Sequence, residues 1–400
     1  GLADTLYVGG SPFTSENILG GCEGFYESGL GDGRLLLTIL SMSMETLDPV
    51  ATATIVGRPG AVYASKEALY IASRHDAGYG GWSYDGAGGI EQATTVHKFA
   101  LLGDPPGALY AASGVVKGNV LNQFSMDEHE GYLRLATTTG HVPDPNVHST
   151  VSILAERSGE LKLAGQVDNI APTEDIRSAR FSGDRGFIVT FKKTDPLFVL
   201  DLSDPGRPSI AGELHIPGYS TYMHMMDEAH LLTIGYDADE QGSFAWFQGI
   251  QLQVFDISNM ADPRLSAREV IGTRGSTSDA ATNHLAFNYF PPKDLLALPM
   301  MICEGGSGGT YGDIMTFSGL LVYRVTVEEG FGLLGRVSHE APETEETYRY
   351  ACSNWWTDSN SQVKRSIVMD DTIFSVALDQ IKVQSLGSIG TDLAVIGLLD

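Results

Sequence analysis

The chain has 400 residues, 42% of them hydrophobic, which is enough for a continuous core, and its 47 glycines and 17 prolines imply many turns. A net charge of −25, from 50 acidic against 25 basic residues, repels phosphate backbones and disfavours nucleic-acid partners. No run of 18 apolar residues suggests a transmembrane segment, and no CxxC pair among Cys22, Cys303 and Cys352 suggests a zinc knuckle or thioredoxin-type site.

In chain order, residues 4–9 (DTLYVG) read as a strand, followed by a glycine-rich loop to about Gly33. Strands LLLTIL (35–40) and ATATIVG (51–57) lead to a hairpin at 62–73, VYASKEALYIAS. After a glycine-rich loop at 74–92 come TTVHKFAL (94–101), YAASGVV (110–116) and a second hairpin, NQFSMDEHEGYLRLATT (122–138). A loop at 140–150 precedes VSILAE, KLAGQV and the clearest hairpin, RSARFSGDRGFIVTF (177–191). Its polar turn is rich in residues that tolerate positive φ. Similar hairpins recur at 222–236, 283–300 and 365–378. Between them lie PLFVLDLSDPGRPSIAGELHIPG (196–218), LQVFDISNMADPRLSAREVIG (252–272) and GLLVYRVTVEEGFGLLGRVS (319–338).

Aligning Leu69, Tyr132, Phe187, Leu231, Leu295 and Ile373 gives spacings of 63, 55, 44, 64 and 78 residues, an irregular repeat. Each unit reads as two strands joined by a polar turn, a loop, then the hairpin. Four antiparallel strands per repeat define an all-β β-propeller. The expected architecture is a single domain over 1–400 with seven four-stranded blades, six being the alternative count. Strands IKVQSL (381–386) and DLAVIGL (392–398) follow the last hairpin. The expectation is that they pair with the N-terminal strand, so that both chain ends close the ring and remove free sheet edges.

NQFSMDEHEGYLRLATT, the string from RSARFSGDRG to GYSTYMH, VFDIS and NHLAF give the chain a resemblance to a known family. It resembles the secreted bacterial and archaeal β-propeller proteins distantly related to WD40 repeats. The resemblance implies an exported propeller, secreted or at the cell surface. It carries over no catalytic residues.

Blade topology sorts the loops. Short turns within strand pairs fall on one face, and the long loops 74–92, 140–150, 237–249 and 301–318 fall on the other. Long loops on a rigid scaffold are where binding sites are usually built. Candidate contacts there are the aromatics Trp82, Tyr84, Trp246 and Trp355, suited to stacking on a sugar or a protein, and the basic pair Lys192 and Lys193. The same aromatics could instead pin their own loops. His75, His141, His148, His224 and His284 are candidate ligands for a transition metal, although no HxH or HExxH spacing fixes them on one element. Aspartates in DLSDP, DISNMADP and VPDPN suit either calcium or tight turns. Asp127, Glu128 and His129 are expected to be a solvated rim, and one of Arg177 and Arg180 an inter-blade donor.

Three functions follow as expectations. The first is a non-catalytic secreted binding or scaffold module for an extracellular protein, glycan or envelope partner. The second is a metal-dependent hydrolase or oxidoreductase with its site at the propeller mouth. The third is a self-associating structural subunit.

Overall fold

The structure is a computed structural model that describes residues 4–8, 11–15, 25–27, 35–43, 45, 50–76, 92–191, 195–216, 218–241, 244–307, 309–339, 352–353 and 359–398. The chain divides into two compact units: residues 1–176 with 202–209, and residues 177–201 with 210–400. Among the described residues no helix is long and apolar enough to cross a membrane.

The second unit contains the simplest expression of the repeat. Its sheets are antiparallel four-stranded meanders whose strands follow one another in chain order. One comprises Tyr219–Met225, His230–Gln241, Phe244–Asp256 and Arg264–Ile271. The next comprises Asn288–Phe290, Leu295–Glu304, Ile314–Thr326 and Gly330–Ser338. The last comprises Val363–Met369, Thr372–Ala377, Gln380–Ser385 and Asp392–Gly397. Preceding these is a sheet of Asp175–Ser182, Arg185–Phe191, Asp195–Asp201 and Ser209–Ile216, whose first two residues and third connection fall in the first unit.

In the first unit, two such meanders share one sheet, with Pro59–Ala64 and Ala68–Asp76 opening the earlier one. Their strand ladders join at one parallel pairing, Glu160 with Ser113. Gly114 beside it has no room for a side chain, since a Cβ there would meet the Leu161 carbonyl oxygen at 2.3 Å. A three-stranded sheet takes Phe25–Glu27, Ala51–Val56 and Leu36–Ser41 in that spatial order.

Sequence pattern explains the layering. Several second strands carry long apolar runs of the kind that burial on both faces requires, whereas Thr372–Ala377 alternates. Leu295–Glu304 (LLALPMMICE) is buried at every position but the last. The fourth strand Arg264–Ile271 faces solvent on most positions, and Asp392–Gly397 on all of them. One large core therefore runs through the second unit, including Phe187, Val199, Leu231, Leu252, Val254, Leu298 and Leu321. The hairpin turns adopt the left-handed backbone their composition implies: Gly183 (φ 52°), Asp294 (φ 52°) and Asp370 (φ 50°).

Two expectations need correction. The repeated hairpin opens each sheet rather than ending it. A sequence repeat can be cut at any phase, and only the hydrogen-bond ladder, such as Leu231 opposite Phe255, shows which strands belong together. The terminal strands also pair differently. Gln380–Ser385 and Asp392–Gly397 complete the sheet begun by the last hairpin, while Asp4–Val8 pairs with Ser11–Ser15. Pairing with the nearest strand in the chain closes the shortest loop and costs the least entropy.

Cys303 and Cys352 form a disulfide across 49 residues. Cys22 lies outside the described residues.

Candidate functional site

The first strands of four successive sheets in the second unit bring together the groups with the most chemistry. Asp175–Ser182 contributes Arg180 and Tyr219–Met225 contributes Tyr222 and His224. The segment around Asn288–Phe290 contributes His284, Phe287 and Tyr289, and Val363–Met369 contributes Arg365. Backbone irregularities help to aim them. The ladder slips between Ser220 and Tyr222, and again between Val363 and Arg365, and such bulges redirect the side chains beyond them. Tyr222 and His224 then share a face because they are two residues apart.

Neighbouring first strands are tied by side chains. Ser178 Oγ donates to the Ser220 carbonyl at 2.7 Å, and Arg177 lies over the rings of Phe191 and Tyr219. Arg177 thus meets the next sheet through the Tyr219 ring, and Arg180 acts on Tyr222 and His224 of that same sheet. The Tyr222 and Phe287 rings meet edge-on at 5.0 Å, and Asn288 Nδ2 donates to Ser366 Oγ and to its carbonyl, both at 3.1 Å.

Around Tyr222 the rings are continuous. His284 stands 6.4 Å and His224 6.3 Å from it, while His224 also contacts Phe287 at 5.7 Å and Tyr289 at 5.6 Å. Tyr222 Oη lies 3.4 Å from His224 Nδ1. All of these side chains except buried Phe287 are half-buried. Burial, then the Arg180 guanidinium, pushes His224 down to about 4. Burial, then Arg365 and Arg180, also lowers His284. Both imidazoles are therefore neutral at pH 7. Burial raises Tyr289, with Asp294 and Asp227 adding to it from the short-turn end. Cations thus border one part of the cluster and carboxylates the other.

His75, His141 and His148 belong to the first unit, and each is engaged locally. His75 is buried with Nε2 2.6 Å from Thr95 Oγ1. His141 is largely exposed, 3.8 Å from Asp175. His148 Nδ1 is 2.8 Å from the Asn146 carbonyl, and its Nε2 lies 3.3 Å from Lys117 Nζ. Among the described residues no three His, Cys, Asp or Glu side chains gather in a metal-binding group. The turn aspartates accept backbone N–H groups two residues on, as Asp144 does from Asn146, Asp204 from Gly206 and Asp256 from Ser258.

Trp82, Tyr84, Lys192, Lys193 and Trp355 lie outside the described residues. Trp246 is half-buried. The Arg274 guanidinium sits 4.6 Å from its ring and also 4.6 Å from that of Tyr311. Gly309 closes on the ring so tightly that a Cβ there would lie 2.7 Å from it. Gly309 is therefore packing for Trp246. Asp127 and Glu128 are not the solvated rim expected from the sequence. Arg134, itself buried, pairs with Asp127, while Ser65 donates to Glu128 and Lys98 stands 3.7 Å from it. His129 is half-buried. The adjoining hairpin covers these acids, which the repeat pattern alone does not register. Sequence reasoning passed over Arg365, Tyr222 and Tyr289 because nothing in the spacing joins positions on four different sheets.

The repeated four-stranded antiparallel sheets, with functional groups on their first strands, define a β-propeller. Residues 15–389 match the model of the beta propeller domain family, and the chain belongs to that family. An uncharacterised protein of Archaeoglobus fulgidus is 39% identical over 208 residues, 52% of this chain and 30% of that protein. Another, from Methanocaldococcus jannaschii, is 39% identical over 153 residues, 38% of this chain and 23% of that protein. The chain thus spans less than a third of the curated relatives it matches. Among solved structures, the periplasmic gluconolactonase PpgL of Pseudomonas aeruginosa aligns over 90% of this chain and 95% of its own. Its TM-score is 0.47 at 12% identity, too distant to bear on activity.

Proposed function

We propose that the chain is a non-catalytic binding module of an exported or cell-surface protein, and that it engages an extracellular glycan, protein or envelope component. The observation that carries this reading is the half-buried cluster of Tyr222, His224, His284, Tyr289, Arg180 and Arg365, assembled from the first strands of four sheets. Flat rings and guanidinium groups held on rigid strands make a recognition surface. The Cys303–Cys352 disulfide supports an oxidising setting outside the cytoplasm.

The test is binding of the purified chain to a glycan panel and to cell-envelope extract, compared with Tyr222→Ala/His284→Ala. Binding by the wild type that is lost in the variant supports the reading. Steady conversion of a bound ligand to product overturns its non-catalytic part.

A second reading, self-association, has its own observation. In the outer strand Asp392–Gly397 every residue is exposed, including Leu393, Val395 and Ile396. An apolar strand at a sheet edge is a template for another chain. Sedimentation of the wild type against Val395→Lys decides it. A dimer converted to monomer supports the reading, and a monomer at all concentrations ends it.

A further inference from the structure

We propose that the first-strand cluster of the second unit recognises an acidic saccharide, a sugar bearing a carboxylate, sulfate or phosphate group, with Arg180 and Arg365 on the anion and Tyr222 and Tyr289 beneath the ring. This rests on the binding reading above and narrows its ligand.

Three features converge on that chemistry. The first is charge placement. The chain carries −25 overall, yet the guanidinium groups of Arg180 and Arg365, from separate sheets, both act on His284, and Arg180 also acts on His224. Guanidinium is the side chain that matches planar or tetrahedral oxyanions with paired N–H groups. The second is the state of the histidines. A neutral imidazole offers one donor and one acceptor, and so does the Tyr222 hydroxyl beside it, which is the pattern that sugar hydroxyls complement. A site built for an anion alone would gain more from charged imidazolium, and here the surroundings keep both rings uncharged. The third is the aromatic surface. Tyr222, Phe287, His224 and Tyr289 present contiguous ring edges and faces within 5.0–5.7 Å of one another along the chain of contacts, with Tyr222 and Tyr289 half-buried rather than sealed. Such rings stack on the apolar face of a pyranose while its hydroxyls remain available for hydrogen bonds. The carboxylates of Asp227 and Asp294 at the short-turn end orient the ligand, because they repel an anion placed there and leave the arginine side to accept it.

The experiment is calorimetric titration of the full chain with oligogalacturonate, a sulfated oligosaccharide and a phosphorylated oligosaccharide, which separate the three anion sources. Methyl-esterified oligogalacturonate, neutral maltohexaose and polyglutamate are the controls. At least one acidic saccharide should bind about tenfold or more tightly than its neutral counterpart, the scale of one charge-assisted contact. That preference should shrink in raised salt. Arg365→Gln should abolish the preference while Arg365→Lys retains part of it, with unchanged thermal unfolding showing that both variants fold. Equal binding of acidic and neutral probes overturns the proposal, and so does an Arg365→Gln variant with full preference. Polyglutamate binding as tightly as the saccharide overturns it in favour of an acidic peptide. If neutral glycan binds and Tyr222→Ala abolishes that binding, the module reading stands and the anion assignment falls. If no saccharide binds and envelope capture is indifferent to Tyr222→Ala, both fall.

Discussion

Each unit sets two histidines near one another, and the pairs differ in what surrounds them. In the first unit His97 is buried, with Nδ1 3.0 Å from Tyr110 Oη, and it is pushed down to about 4 by burial and then by His75. His75 itself meets Thr95. All four residues lie on three adjacent strands of one sheet, His75 on Ala68–Asp76, Thr95 and His97 on Gln92–Leu102, and Tyr110 on Gly107–Lys117. In the second unit His224 and His284 stand on different sheets, half-buried, among rings and beside arginines. The first arrangement is an interior whose polar atoms find local hydroxyl partners. The second sets its imidazoles among aromatic rings carried by neighbouring first strands. His97 and His224 are lowered for the same reason, burial, yet one is enclosed within its own sheet and the other meets rings from another sheet.

The comparison can be broken hardest with acid. His97 has a folded pKa below its unfolded value, so above pH 6.5 neither state holds the proton and stability is unaffected. Between pH 6.5 and about 4 the unfolded chain binds a proton that the folded chain refuses, and stability falls as the pH drops; below about 4 the loss levels off. The expected loss over that window is at most about 3 kcal/mol, and urea unfolding at stepped pH should show it flattened in His97→Gln. His224 acts in the same direction, but its partial exposure makes the contribution smaller, so His224→Gln should flatten the same curve less.

The next largest contrast is between two tyrosines. Tyr110 is half-buried, but Tyr110→Phe removes the hydroxyl that partners buried His97 and should cost about 1–3 kcal/mol in urea unfolding. Tyr222→Phe removes a long contact in a half-buried site and should cost less than about 0.5 kcal/mol while weakening ligand binding. If the two costs were equal, the division into sealed and open pairs would fail. At the bottom of the scale, Arg365→Gln should leave stability within about 0.5 kcal/mol of wild type.

Much of the architecture was legible in one dimension. The hairpins, their positive-φ turns and the apolar second strands are local or short-period signals, because a strand's side-chain period is two and a turn's backbone demands fall on a few adjacent residues. The loop-face candidates were harder. Trp246 reads as an exposed tip by its polar, glycine-rich surroundings, yet Arg274 and Gly309, 28 and 63 residues away, enclose it. Nor could composition distinguish His75, which meets a threonine on the adjacent strand, from His224, which meets aromatic rings contributed by another sheet.

The sequence by itself determined an all-β chain of repeated hairpins joined by short polar turns. It left three cysteines with no preferred partner. Only the tertiary structure decided the phase of the repeat, the pairing of Cys303 with Cys352, the partners of the terminal strands, and the meeting of Arg180, Tyr222, His224, His284 and Arg365. The physical reason is one of range. Strand and turn preferences are written within a few residues, whereas the cluster depends on the order in which sheets pack side by side, and that is set by core burial between sheets many tens of residues apart.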